Sequence, residues 1–217
     1  MLLEKIAKLK EKIVLDATKV EKMIEKSVQG LFDRTPDLLK EVIEVDEQAV
    51  NKLEIEIDQM CTDMIALHQP EAKDLRTVLM ALKKNSDLER MGDQAVNICQ
   101  HGLAILESGE KVSQMEDFIR MSAETKGMIH DAITAFITED VRLSREVCSR
   151  DNKVDDLRDK IGEALYVEMR ADSSLIKRCL HLLRIASELE RIADLSTNIC
   201  EDTIFMTAGQ VIKHHHQ

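Results

Sequence analysis

An all-α fold, made of two tandem antiparallel three-helix bundles related by pseudo-twofold symmetry, is predicted by three features of the sequence. Composition is the first: the 217 residues include only 7 Gly and 2 Pro, and aromatics make up 2%. Sandwiches and barrels need turn residues and β-favouring side chains, whereas Ala, Leu, Ile, Met, Glu, Lys and Arg, which dominate here, are mostly good helix formers. The second is an apolar stripe at three- and four-residue steps along most of the chain. An internal duplication is the third. The segment Leu88-Glu89-Arg90-Met91-Gly92-Asp93-Gln94-Ala95-Val96-Asn97-Ile98-Cys99 returns as Leu189-Glu190-Arg191-Ile192-Ala193-Asp194-Leu195-Ser196-Thr197-Asn198-Ile199-Cys200, identical at seven of twelve positions.

The first helix is expected over residues 3–32, where Ile6, Leu9, Ile13, Ala17, Val20, Ile24, Val28 and Leu31 keep the helical step. Asp33-Arg34-Thr35-Pro36-Asp37 ends it, with Thr35 placed to cap the next helix and Pro36 suited to its first position. Leu39, Val42, Val50, Leu53, Ile57, Met60 and Met64 mark a second helix over 36–67, which Gln69-Pro70 breaks. A third follows over 71–106. Ser108-Gly109-Glu110 is the boundary between the halves, giving repeats 1–108 and 109–217. The second half repeats the plan over 113–137, 139–171 and 174–207, with Ser173 or Ser174 as cap of the last helix. Phe32 pairs with Phe136, and Val50-Asn51-Lys52-Leu53 with Val154-Asp155-Asp156-Leu157. Short helix–helix loops make neighbouring helices antiparallel.

Charge and cysteine usage narrow the function. With 41 acidic and 30 basic residues the net charge is −11, which argues against nucleic acid as a partner and, more weakly, against an anionic membrane surface. The N-terminal Met1–Ile13 segment is charged throughout, unlike a signal peptide, and no apolar run approaches a transmembrane length, so no direct membrane insertion is expected. Five cysteines, at 61, 99, 148, 179 and 200, lack CxxC spacing and read as reduced thiols of a cytoplasmic protein.

Acids recur on one helical face. Leu75, Val78, Leu79 and Leu82 define a stripe that continues onto Glu89, Asp93, Val96, Asn97, Gln100 and Leu103. In the second copy Ile176, Cys179, Leu180 and Leu183 lead to Glu190, Asp194, Glu201 and Ile204. The acids are therefore expected inside a core stripe. Glu47, Asn51, Glu54 and Asp58 form a ridge on the second helix. Its counterpart has Asp151 and Asp155, but Arg158 and Gly162 replace Glu54 and Asp58, so the two sites are not chemically equal. Carboxylates one turn apart repel, and burying them unpaired is costly; a cation resolves both problems. Hard oxygen donors suit Mg2+, Mn2+, Ca2+ or iron more than Zn2+ or copper. The plain alternative is a solvated face with salt bridges, for which Arg90 and Arg191 stand adjacent to the acids.

The repeated Leu-Glu-Arg-x-x-Asp-x-x-x-Asn-Ile, the Gln69-Pro70-x-x-x-Asp74-Leu75-Arg76 lead-in and the six-helix duplication resemble the PhoU family of bacterial and archaeal regulators of phosphate uptake. That resemblance implies a protein working with a phosphate ABC transporter, on its cytoplasmic side, and with a phosphate-sensing histidine kinase, to repress the phosphate-starvation response. It also implies a homodimer and multinuclear clusters of divalent or trivalent ions on oxygen ligands (iron, Mn, Mg or Zn), one per repeat. Carried over position by position, the ligands are Glu47, Asn51, Glu89, Asp93, Asp151, Asp155, Glu190 and Asp194, with Asn97 and Asn198 in addition. Asn51 stands where the family commonly has Asp, Glu47 is one position off the simplest alignment, and the second repeat lacks the Asp-Leu-Arg lead-in.

Competing functions fit less well. A ferritin-like oxidase needs Glu-x-x-His pairs, and no Glu here has His three residues later. A purely structural scaffold has no reason to place the acidic pair on the stripe twice; metal storage is the remaining alternative. No nucleophile with a base, glycine-rich phosphate loop or cofactor fingerprint is present, so no enzyme is expected. His68, His101, His130 and His181 are scattered, and the terminal His214–His216 are given no role, while Met60, Met64, Met80 and Met121 fall at core spacing.

Overall fold

The computed structural model describes residues 2–107, 109 and 115–208, and among these there is no strand. Helix α1 is Leu2–Phe32 and α2 is Pro36–Glu41; a π turn at Val42–Asp46 leads into α3, Glu47–His68. Helix α4 is Ala72–Glu107, α5 is Met115–Thr138 and α6 is Val141–Ala171; a 3-10 turn at Ser173–Leu175 opens α7, Ile176–Ala208. The expected join between the repeats lies outside the described residues apart from Gly109, and so do the terminal histidines.

Helices α1, α3 and α4 form one bundle and α5, α6 and α7 the other; α3 and α6 pack only within their own bundles. The bundles meet where α1 lies on α5 and α4 on α7, so each helix rests on its own counterpart. Lys84 reaches Asp202 while His101 reaches His181, which fixes α4 and α7 as antiparallel. One hydrophobic core runs through both halves, from Leu9, Ile13 and Ile24 to Leu88, Met91 and Ile98, and on to Leu189, Ile192 and Ile199.

Helix ends follow from local chemistry, with two corrections. Helix α1 closes on Arg34 in the left-handed region (φ 56), with the Thr35 N–H donating to the Gly30 carbonyl at 2.8 Å. Glu139 (φ 58) and the Asp140-to-Ala135 bond repeat this at the end of α5. Asp140 then caps α6 by accepting from the Arg142 and Leu143 N–H groups. Thr35 does not cap α2; its hydroxyl donates to Asp33 O instead, and Pro36 at the helix start leaves one N–H fewer to satisfy. At the last helix the cap is Asp172, which accepts from Ser174 N, rather than Ser173 or Ser174.

The second helix of the first repeat is not a plain α-helix. Buried Leu39 and Val42 match buried Ser144 and Val147, but buried Val50 matches Val154, so the first repeat carries one extra residue between Val42 and Val50. The π turn absorbs it directly ahead of Glu47. The same extra residue displaces the Phe32–Phe136 pairing, because burial aligns Leu31 with Phe136. Leu39 wedges between helices: a Cβ on Gly30 would sit 2.7 Å from Leu39 Cδ2, and one on Gly102 3.0 Å from Leu39 Cδ1.

Candidate functional site

Two grooves carry the acids, one between α3 and α4 and one between α6 and α7. In the first, Asn85 of α4 spans the gap: its Nδ2 donates to Glu54 O at 2.9 Å and to Asp58 Oδ1 at 2.7 Å. One turn further along α4, Glu89 is half-buried and Asp93 exposed. Burial raises the Glu89 carboxyl above its ordinary range, Asp93 and Glu54 push it further and Glu47 adds to them, against Arg90. Glu54 is raised for the same reasons: burial first, then Asp58 and Asp93. Arg90 is largely exposed and lies toward Asp87.

The floor of this groove comes from α1. Asp16 is fully buried, and neither of its oxygens has a hydrogen-bond partner. Burial, reinforced by Glu54 and opposed by Lys19, lifts its carboxyl to about 7. Because the folded value exceeds the unfolded one, the folded state holds the extra proton. Stability should therefore fall as pH rises from about 4 to about 7, by up to roughly 4 kcal/mol. Asp16→Met, which copies Met121 at the matching buried position of α5, should flatten that fall and stabilise the protein at about pH 8 by roughly 2 kcal/mol. Urea unfolding at about pH 5 and pH 8 measures both effects.

The second groove has the same positions but a different charge balance. Arg158 stands where Glu54 stands in the first repeat, and its Nη1 lies 2.5 Å from Glu190 Oε1 while Nε and Nη2 bond Asp159. Burial raises Glu190; Arg158 pulls it down and Asp194 and Asp155 push it up. Asp194 is likewise raised by burial and Asp155, with Arg158 opposing. A guanidinium bonded to Glu190 thus supplies positive charge directly in the second groove, where the first has only the field of Arg90, which is largely exposed and lies toward Asp87.

The structure brings Glu47, Glu89 and Asp93 together in one groove, and Asp155, Glu190 and Asp194 in the other. Asn51 and Asn97 are half-buried on the facing helices. Asp151 acts on Cys148 of its own helix, and exposed Asn198 lines a cleft of about 330 Å3 with Arg90, Gln94, Arg191 and Asp194. Among the described residues, no three His, Cys, Asp or Glu side chains stand in metal-binding geometry. The donor chemistry nonetheless suits a hard cation in the first groove, where burial and neighbouring carboxylates raise Glu54 and Glu89. In the second groove such an ion has to displace Arg158.

One expectation needs correcting: the acids do not sit inside the core. Leu79 is 42% exposed and Leu180 52%, so the stripe leading to Glu89 and Glu190 is a half-open flank. The buried faces carry Leu88, Met91, Ala95 and Ile98, and their counterparts Leu189, Ile192, Ser196 and Ile199. Sequence reasoning also missed Asp16, although an acid three residues after Ile13 and four before Val20 on an apolar face was a visible signal.

Comparison with known proteins gives a consistent result. The model of the PhoU domain matches residues 17–101 and again 118–203. A phosphate-specific transport system accessory protein PhoU homolog from Aquifex aeolicus is 35% identical over 215 residues, covering 99% of this chain and 96% of that protein. The protein named phosphate-specific transport system accessory protein PhoU from Escherichia coli K12 is 36% identical over 200 residues, covering 90% and 80%. A crystal structure of PhoU from Pseudomonas aeruginosa superposes with a TM-score of 0.90 at 28% identity, over 97% of this chain and 100% of that one.

Proposed function

The chain belongs to the PhoU family, and from that membership we propose that it regulates phosphate uptake as an accessory protein of a phosphate ABC transporter. It is not an enzyme. In this reading it works at the cytoplasmic side of the transporter, as an adaptor that holds a phosphate-sensing histidine kinase in its repressing state. Likeness along both repeats supports the assignment, since it extends over 96% of the Aquifex relative. Among the described residues no helix is long and apolar enough to cross a membrane, which suits a protein that docks on membrane partners from outside the bilayer. Val45, Ile55 and Leu67 beside and along α3, with Tyr166 and Val167 on α6, offer exposed apolar surface for partner helices or a second copy of the chain.

The metal-binding part of the proposal is carried by one observation: Glu54 and Glu89 are both raised, by burial first and then by neighbouring carboxylates that include Asp93, and the Arg90 that opposes this at Glu89 is largely exposed and lies toward Asp87. Glu47, Glu89 and Asp93 would hold the ion, with Glu54 beside them and the carbonyl oxygens of Asn51 and Asn97 in support. Iron, Mn2+ or Mg2+ fits this all-oxygen set better than Zn2+. Asp151, Asp155, Glu190, Asp194 and Asn198 would hold one in the second repeat once Arg158 turns fully to Asp159, which it already bonds. The ion would neutralise the groove and fix α3 against α4, keeping the docking faces rigid.

Complementation tests the whole reading. In a host lacking its own PhoU protein, phosphate-scavenging genes should be expressed even when phosphate is plentiful. This chain, supplied with its cognate transporter and kinase, should restore repression. Glu89→Gln with Asp93→Asn should restore it only in part. Repression unchanged by the wild-type chain would remove the regulatory assignment.

A further inference from the structure

At the α4–α7 contact between the repeats, His101 and His181 meet with Nδ1 atoms 3.1 Å apart and ring centroids 5.3 Å apart. Both rings are half-buried, so each keeps an edge toward solvent. We propose that this pair is a metal site of its own, a two-imidazole clip that takes a borderline-soft divalent ion such as Zn2+ and ties the first repeat to the second. Water completes the coordination. The site is separate from the acidic grooves, which lie within each bundle, and it does not depend on the regulatory reading above.

Geometry carries the proposal. Two nitrogens bound to a tetrahedral Zn2+ at about 2.0–2.1 Å stand roughly 3.3 Å apart, so the rings need to part by only a few tenths of an ångström. Without an ion, one Nδ1 must hold a proton and donate to the other. When an ion enters, that ring moves its proton to Nε2, so both Nδ1 lone pairs become free to bind. Burial, with His181 and Arg184 adding to it, holds His101 below its ordinary range, so the ring is neutral at physiological pH. Glu188 favours a cation here through its charge and Arg184 opposes one. Glu188 is 4% exposed and already held by Arg191, so it contributes field rather than a ligand. Imidazole is also the donor type that the all-oxygen grooves lack, so the two kinds of site select different ions.

The test is Zn2+ titration calorimetry on the full chain carrying His214→Ala, His215→Ala and His216→Ala, in excess Mg2+ to occupy the grooves. The expected result is one Zn2+ per chain with micromolar affinity. His101→Gln or His181→Gln alone should weaken it at least about tenfold, and the double variant should lose little more, because either change dismantles the same site. Unchanged affinity in both single variants would overturn the proposal. Should those variants fold poorly, Cu2+ bound to the parent protein gives an independent reading by electron paramagnetic resonance. Hyperfine splitting from two nitrogens is expected, and a spectrum of oxygen-only or single-nitrogen coordination would refute the clip.

Discussion

Asp202→Asn is expected to destabilise the protein by about 3 kcal/mol or more, the largest loss we anticipate from any single polar substitution. Lys84, fully buried in α4, is 2.6 Å from Asp202 of α7, which is itself 7% exposed at the side chain. Burial alone would raise the Asp202 carboxyl; the Lys84 ammonium and hydrogen bonds from Lys83 and Lys84 overcome that and hold it at about 2. The carboxylate therefore contributes its full stabilisation above about pH 4 and loses it as pH falls toward 2. Neutralising Asp202 leaves the ammonium in the core with only Asp87, 3.7 Å away. Lys84→Ile with Asp202→Leu should come back close to wild type, because an apolar pair of similar volume needs no partner. The second repeat already shows the apolar solution, with buried Ile185 at the position matching Lys84. Denaturant unfolding of the two single variants and the double variant measures the coupling.

Glu54→Arg should cut Mn2+ affinity in the first groove by at least about tenfold. The substitution copies the arrangement of the second groove, where Arg158 sits 2.5 Å from Glu190, and a tethered guanidinium competes with an ion for the same oxygens. The reciprocal change, Arg158→Glu with Gly162→Asp, should strengthen Mn2+ binding in the second groove by a similar factor. Gly162 has room for the change, since an added Cβ would meet only Leu183 Cδ2 at 3.8 Å. Free Mn2+, followed by its paramagnetic resonance during titration, reports both numbers. If Glu54→Arg bound Mn2+ as the wild type does, the grooves would not be the ion sites.

Helix content and order were legible because their causes are local. An apolar side chain every three or four residues, a proline after Gln69 and a turn at Asp33–Asp37 act within a few residues. The inequality of the grooves was legible too, since Arg158 occupies the place of Glu54 in the sequence itself. Depth was not. A helical wheel gives the direction of Glu89 and Asp93 but not how far the neighbouring helix reaches over them, and both proved to lie at a half-open edge. The π turn at Val42–Asp46 escaped notice because an extra residue in a helix leaves its composition unchanged. It becomes visible only when the repeats are aligned by burial. Lys84, Asp202, His101 and His181 escaped for another reason: their partners lie 118 and 80 residues away, and long-range pairing leaves no local pattern. The contrast of Lys84 with Ile185 was available in the duplicated sequence as a lead.

Packing each helix on its own counterpart is the geometry of a symmetric dimer, yet these halves can no longer serve as interchangeable copies. Two first halves brought together in this way would set Lys84 against His101, since His101 holds the position that Asp202 has in the second half. Two second halves would set Ile185 against Asp202, but would also bring His181 and Arg184 to that carboxylate, since Asp202 holds the position of His101 and Arg184 that of Lys83. Self-pairing of first halves leaves the Lys84 ammonium without a carboxylate from across the contact at both ends, whereas the mixed pairing places Lys84 with Asp202 at one end and the histidines at the other. Divergence has thus given the first half a surface that matches the second half and no longer matches itself. A severed first half should seek out the second half in preference to another copy of itself, and a nicked chain should hold together.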